Sequence, residues 1–236
     1  MHSTILENEH LSANTLFNFT TKFDYLKSKI ENRFKPRLVL EDYTSIGYQL
    51  EWALPMVCFC DIRLSNILIH IKEYGNYGIG LKKEWGIEKG LNPLLYISSE
   101  HSSLLNTFSH LITDKSKKHA ARFFMNFKPY SGKQNNKNRN FYNEREWRFI
   151  PNEDIDTYSL GKSDFEDVAE RELINSKLFN EKGLDFTFSD IKYVILSDLS
   201  EIQDIVTVIA NTFSITEIEV YKNIVFLTKK IIENDL

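Results

Sequence analysis

Residues 54–98 read LPMVCFCDIRLSNILIHIKEYGNYGIGLKKEWGIEKGLNPLLYIS and hold the clearest succession of strand and helix patterns in the chain. An apolar run after Pro55 predicts a buried strand, and the apolar spacing that follows, ended by Gly75, predicts a helix. A second apolar run then opens with Tyr77. The predicted order is strand 56–62, helix 65–75, strand 77–81, a short helix around Glu84 and Trp85, and strand 94–98.

The regions on either side continue this mixture of strands and helices. The upstream pattern predicts strand 15–20, helix 22–34 and strand 37–41. The downstream pattern predicts helices within 100–125, strand 141–151, helix 165–180, strand 191–197, helix 201–213, strand 217–222, and a closing helix or strand. Because strands and helices do not strictly alternate, the chain is predicted to form one α+β domain over 1–236, with mixed small sheets flanked by helices.

Composition narrows the class of protein. The formal net charge of −4 over 236 residues does not favour a general binder of duplex nucleic acid. No apolar run is long enough to cross a bilayer, and the polar start of the chain does not resemble a secretion signal. Cys58 and Cys60, the only cysteines, fit reduced thiols better than a metal or disulfide framework. We therefore expect a cytoplasmic protein with no metal site and no membrane partner.

The stretch SGKQNNKNRN (131–140) is polar, basic and of low complexity. This composition predicts a mobile loop. Its lysines and Arg139, next to Tyr130, leave open a local contact with nucleic acid, which would weaken steeply with salt. A plain solvated loop is the simpler alternative.

The loop leads into FYNEREWRFIP (141–151), the strongest chemical candidate in the sequence. On a strand, Glu144, Glu146 and Arg148 would share one face, because side chains alternate with a period of two. Repulsion between the carboxylates would raise one pKa, and the guanidinium would offset it. Such a face could bind a ribose hydroxyl or stabilise a developing positive charge. The alternative, favoured by the residues alone, is an ion-pair ladder on a solvated strand face.

Three stretches of the chain resemble the AbiGi family of abortive phage-resistance proteins. They are residues 16–42, residues 54–98, and KPYSG with FYNEREWRFIP within 128–151. The resemblance implies a phage-defence role as the antitoxin half of a two-gene pair, whose partner is a nucleotidyltransferase-like toxin. The oligomeric state is not implied.

A more distant resemblance links the chain to ADP-ribosyltransferase-like families, including DarT toxins and RNA 2′-phosphotransferases. TLFNFTTKFDYLKSKIENRF (15–34) is similar to their opening strand and helix, and Glu144 and Glu146 to their late ExE strand. The resemblance implies an ADP-ribosyltransferase-like fold, NAD as cofactor, and transfer of ADP-ribose to a macromolecule such as nucleic acid or to water. It implies Glu146 and Glu144 as catalytic residues, and Asn18, Thr20, Tyr77 and Arg148 as cofactor-binding residues, with Tyr77 stacking on nicotinamide.

Two positions depart from that pattern. Asn18 stands where such families carry histidine, and asparagine can form hydrogen bonds but cannot shuttle a proton. Arg33 stands where the helix is expected to close on glycine. The alternative is therefore a non-catalytic antitoxin or sensor that binds a partner toxin or phage component and keeps the carboxylates as a scaffold. Convergence of Glu144 and Glu146 with Asn18 and Tyr77 in one pocket would favour catalysis.

Overall fold

The structure is a computed structural model, which describes residues 13–46, 50–98, 101–104, 126–134, 137–151 and 155–235. The helices predicted over 100–125 lie outside these ranges apart from 101–104. Across the described ranges, no helix combines the length and apolar character needed to cross a membrane.

Thirteen strands are present in the described part of the chain. They are β1 (Thr15–Thr20), β2 (Arg37–Asp42), β3 (Glu51–Cys60), β4 (Tyr77–Lys82), β5 (Asn92–Pro93), β6 (Leu95–Ile97), β7 (Phe127–Pro129), β8 (Ser131–Gln134), β9 (Lys137–Asn140), β10 (Glu146–Phe149), β11 (Leu160–Gly161), β12 (Ile191–Leu196) and β13 (Val225–Thr228).

The α-helices of the described residues follow the same chain order. They are α1 (Phe23–Asn32), α2 (Ile67–Tyr74), α3 (Lys83–Glu88), α4 (Ile155–Tyr158), α5 (Lys162–Glu166), α6 (Val168–Glu181), α7 (Ile202–Phe213), α8 (Glu217–Asn223) and α9 (Lys229–Asp235).

Nine of the described strands join one sheet in the order β13-β12-β4-β1-β3-β10-β5, with β2 and β11 also pairing with β3. The pairs are antiparallel except β12 with β13, where α7 and α8 form the connection that parallel strands require. β6 with β7 and β8 with β9 form two separate two-stranded sheets. The predicted α+β class, with helices flanking the sheets, is confirmed.

Alternation along β1 explains how the sheet is covered on both faces. Leu16 packs with Leu26 and Ile30 of α1 in the largest apolar cluster, which also includes side chains of α7. Phe17, the next residue, packs with a second cluster that includes Ile67 of α2. Successive side chains therefore bury against helices on opposite sides of the sheet.

Three segments differ from the sequence-based predictions. Residues 217–223 form helix α8, where a strand was predicted, because Thr216 and Glu219 build a capping box at its start. Residues 131–134 and 137–140 pair as an antiparallel hairpin, where a loop was predicted. The predicted continuous strand 141–151 is wrong: residues 141–144 form a 3-10 turn, and Arg145 is left-handed with φ of 45°.

Candidate functional site

The candidate site lies where strands β1 and β3 of the large sheet separate from each other. These strands pair at a single register position, Phe17 with Cys60. β2 pairs with β3 further along, from Met56 back to Glu51. Between the two pairings, the Cys58 carbonyl accepts a hydrogen bond from Asn18 Nδ2 at 2.8 Å. The Asn18 side chain thus connects β1 to β3 at a position where β3 has neither β1 nor β2 as a paired neighbour on that edge.

A cavity of about 1270 Å³ occupies this region. Asn18 and Thr20 of β1 line it together with Cys58 of β3. Helix α1 contributes Lys29 to its wall, and helix α6 contributes Phe179. Ligand-binding pockets usually measure about 300–1000 Å³, so this cavity has room for a ligand at least as large as a nucleotide.

A buried lysine joins the two predicted carboxylates beside this cavity. Lys128 Nζ lies 3.0 Å from Glu144 Oε2 and 2.7 Å from Glu146 Oε2. The phenol of Tyr74, at the end of α2, donates a hydrogen bond of 2.7 Å to Glu144 Oε1. Glu144 and Glu146 therefore share one cation instead of facing each other unpaired.

Arg148 extends the cluster to β2. Its Nε lies 2.7 Å from Glu146 Oε1, and its second terminal nitrogen lies 2.8 Å from Glu41 Oε1. The cluster of Glu41, Lys128, Glu144, Glu146 and Arg148, called the charge network below, ties β2, β7 and β10 together.

The charge network is buried. Glu144 is 8% exposed, Glu146 is 5% exposed and Arg148 is 1% exposed. The solvated strand face favoured by the residues alone is therefore wrong. Burial of ionised groups is costly unless each finds a partner of opposite charge, and in this cluster each of them does.

The network sets the protonation states of Glu146 and Lys128. Burial opposes ionisation of Glu146, but Arg148 and Lys128 outweigh it and hold the pKa of that carboxyl well below its ordinary value. Burial would likewise lower the pKa of Lys128, but Glu146, Glu41 and Glu144 hold it well above the ordinary value. Glu146 is consequently an ionised carboxylate near neutral pH and is poorly suited to donate a proton.

The backbone explains how Glu144 joins the network although it does not lie on the strand. The 3-10 turn ends at Arg145, whose left-handed conformation redirects the chain before β10 begins. The turn is anchored by Asn140, whose side chain accepts from the backbone N–H of Tyr142. Two carboxylates from different local structures thus meet at Lys128.

Four of the six predicted site residues line the cavity: Asn18, Thr20, Glu144 and Glu146. Arg148 contacts Glu146 from the protein interior and does not appear in the described cavity wall. Both ends of the Asn18 amide are engaged, because its Oδ1 also accepts from Lys29 Nζ at 2.7 Å.

Tyr77, the residue predicted to stack on nicotinamide, lies apart from the cavity. Tyr77 is absent from the described residues that line the cavity. Its hydroxyl donates to Glu201 Oε1 at 2.7 Å, and its ring packs against Phe23 with centroids 5.7 Å apart. Tyr77 belongs to the apolar cluster on the α1 and α7 side of the sheet, while Tyr74 is the tyrosine that reaches the carboxylates.

Sequence reasoning missed Glu41, Lys128, Tyr74 and Lys29. Lys128 carries the strongest local signal, since it stands between Phe127 and Pro129 in a strand whose three residues are all buried. A charged residue within an apolar stretch indicates a buried partner of opposite charge. In the described part of the chain, no group of histidine, cysteine and carboxylate side chains is arranged to hold a metal ion.

The lowered pKa of Glu146 predicts a loss of stability in acid. Its folded pKa lies below the unfolded value, so its contribution is present above about pH 5 and is lost as the pH falls. When the pH is lowered from 6 to 3, the free energy of unfolding should fall in both proteins. We expect the fall to be about 2 kcal/mol smaller for Glu146→Gln than for the wild type. Urea unfolding at several pH values measures this difference. The exposed control Glu166→Gln should follow the wild type; equal slopes for all three proteins would contradict the prediction.

The sequence of the chain is similar to a known protein family. Residues 32–197 match the model of the family described as "Putative abortive phage resistance protein AbiGi, antitoxin". A similar protein is the abortive phage resistance protein AbiGi of Lactococcus lactis subsp. cremoris, 29% identical over 184 residues, which span 63% of this chain and 74% of the relative.

No solved structure matches the chain, so no structural neighbour supports an ADP-ribosyltransferase-like fold. The AbiGi match covers Glu41, Lys128, Glu144, Glu146 and Arg148, which make up the whole charge network. Because the family model matches well over half of the sequence, the chain belongs to the AbiGi family of abortive phage-resistance proteins.

Proposed function

We propose that this protein serves phage defence in the cytoplasm as a non-catalytic antitoxin or sensor, with the cavity as a ligand-binding site and the charge network as its rigid support. The family description, which ends in the word antitoxin, supports a toxin as partner. The observation that carries the proposal is the pairing of Glu146 with two cations, Lys128 and Arg148.

This pairing bears on catalysis because a catalytic carboxylate must direct its charge at the substrate. Glu146 Oε1 accepts from Arg148, and its Oε2 accepts from Lys128. Glu144 is bonded to Lys128 and Tyr74. Since all four carboxylate oxygens already have protein donors, the groups are better suited to holding β10 and the adjacent turn in place than to stabilising a developing positive charge.

The test is neutralisation of a co-encoded toxin in living cells. We expect the wild-type chain to restore growth to cells that express the toxin. Glu144→Gln, checked for folding by its thermal unfolding, should restore growth equally, because the proposal assigns no chemistry to that carboxylate. The exposed control Glu166→Gln should behave as the wild type. Failure of the wild-type chain to protect the cells, or loss of protection in folded Glu144→Gln, would contradict the proposal.

A second candidate is transfer of ADP-ribose from NAD to a macromolecule such as nucleic acid. It is favoured by one observation, the convergence of Asn18, Thr20, Glu144 and Glu146 on one cavity. The predicted cofactor contacts fit only in part, because Tyr77 lies elsewhere and the Asn18 amide is held by Cys58 and Lys29. Such a reaction would release nicotinamide, and the release would depend on Glu146.

A further inference from the structure

Lys29 is half-buried in the cavity wall and differs from Lys128, which is buried there. Its Nζ donates to Asn18 Oδ1 at 2.7 Å and to the Phe19 carbonyl at 3.2 Å, and both acceptors are neutral. Within the described residues, Lys29 forms no ion pair, whereas Lys128 contacts two carboxylates. An ammonium group has three N–H donors, so one donor of Lys29 is available after these two bonds.

The surroundings of Lys29 oppose its charge without neutralising it. Burial lowers the pKa of its ammonium group to about 8, which leaves it mostly protonated at neutral pH. Lys29 lines the cavity and lies on α1, the helix that connects β1 to β2 in the chain. A cation in this position, held by neutral dipoles and facing a cavity, is suited to receive an anion from solution.

We infer that the Lys29–Asn18 pair is an anion-binding subsite and that the cavity takes a nucleotide, whose phosphate would contact Lys29. This inference rests on the proposed function, because it names the ligand class of the same cavity. Asn18 acts as a positioning residue, since its amide bonds to the Cys58 carbonyl on one side and to the Lys29 ammonium on the other.

The rest of the cavity favours a nucleotide over a bare anion. Tyr25 and Phe179 line the same cavity and are 50% and 47% exposed; Lys22 and Lys35 lie over one face of each ring, so a planar base would stack on the opposite face.

The test is titration calorimetry of the full chain with AMP, inorganic phosphate and adenosine. We expect AMP to bind the wild type, inorganic phosphate to compete with it, and adenosine to bind at least tenfold more weakly. Lys29→Met should lower AMP affinity about tenfold to a hundredfold, the effect of losing one charge-assisted hydrogen bond. Lys29→Arg, which keeps the charge, should retain most of the affinity.

Lys27→Met is the matched control, because Lys27 lies on the same helix, pairs with Asp24 and does not line the cavity. It should bind AMP as the wild type does. Absence of AMP binding, equal binding of adenosine and AMP, or unchanged affinity in Lys29→Met would overturn the inference. If the chain neutralises the toxin but does not bind AMP, the inference about the subsite is wrong and the antitoxin role is unaffected. If the chain binds AMP but does not neutralise the toxin, the antitoxin role is wrong and the subsite is unaffected.

Discussion

Replacing Arg148 with methionine is expected to lower the free energy of unfolding by about 3–5 kcal/mol, the cost of breaking a buried ion pair by removing one partner. Arg148 is 1% exposed and connects Glu146 to Glu41. Methionine fills similar space but leaves Glu41 buried without the guanidinium that it contacts. Urea unfolding of the two proteins at pH 7 measures the difference.

The matched control for this variant is Arg37→Met. The Arg37 side chain is 67% exposed and lies 3.6 Å from Glu172, so its loss should cost less than about 1 kcal/mol. Adding Glu41→Gln to Arg148→Met should recover part of the stability, because the unpaired carboxylate is then removed. A cost for Arg148→Met no larger than that for Arg37→Met would show that the network is not buried as described.

Replacing Gly75 with alanine is expected to destabilise the protein by about 3 kcal/mol or more, from backbone strain and steric overlap together. Gly75 ends α2 with φ of 122°, a conformation that residues with a side chain rarely adopt. A Cβ atom there would lie 2.2 Å from the carbonyl oxygen of Thr20, which is backbone and cannot move aside cheaply. Because Thr20 lines the cavity, the displacement would also disturb the site.

The variant Gly90→Ala separates the cost of backbone strain from the cost of steric overlap. Gly90 also has positive φ, at 76°, but among the described residues no atom beyond its own chain neighbours lies within 4 Å of the position its Cβ would take. This variant should therefore cost only about 1–2 kcal/mol, the penalty for a left-handed residue with a side chain. Thermal unfolding of both variants beside the wild type measures the costs. Equal costs at Gly75 and Gly90 would rule out the close approach of Gly75 to Thr20.

The regular elements of the fold could be predicted because their signals are local. Helix α1 and strand β1 lie within the predicted ranges, since apolar spacing and alternation directly express which side is buried. The strand predicted over 217–222 was wrong because EIEVYK carries a strand-like alternation, and the capping box at Thr216 stabilises a helix instead. The pairing of residues 131–134 with 137–140 was missed because polar composition hides strand pairing.

The site could be predicted only in part. Glu144 and Glu146 were found because two carboxylates one residue apart stand out in a sequence. Their partners Lys128 and Tyr74 come from other elements, and no sequence spacing connects those elements to β10. Tyr77 was predicted because it opens a strand, yet it packs in the apolar cluster on the α1 side of the sheet, and Tyr74 reaches Glu144 instead.

The most direct measurement is nicotinamide release from NAD by the purified wild-type chain at neutral pH, with Glu146→Gln and the exposed control Glu166→Gln measured beside it. If Glu146 serves as a structural partner of Lys128 and Arg148, all three proteins should release no more nicotinamide than buffer does. Release by the wild type and by Glu166→Gln, together with none by folded Glu146→Gln, would contradict the structural role and establish Glu146 as a catalytic residue.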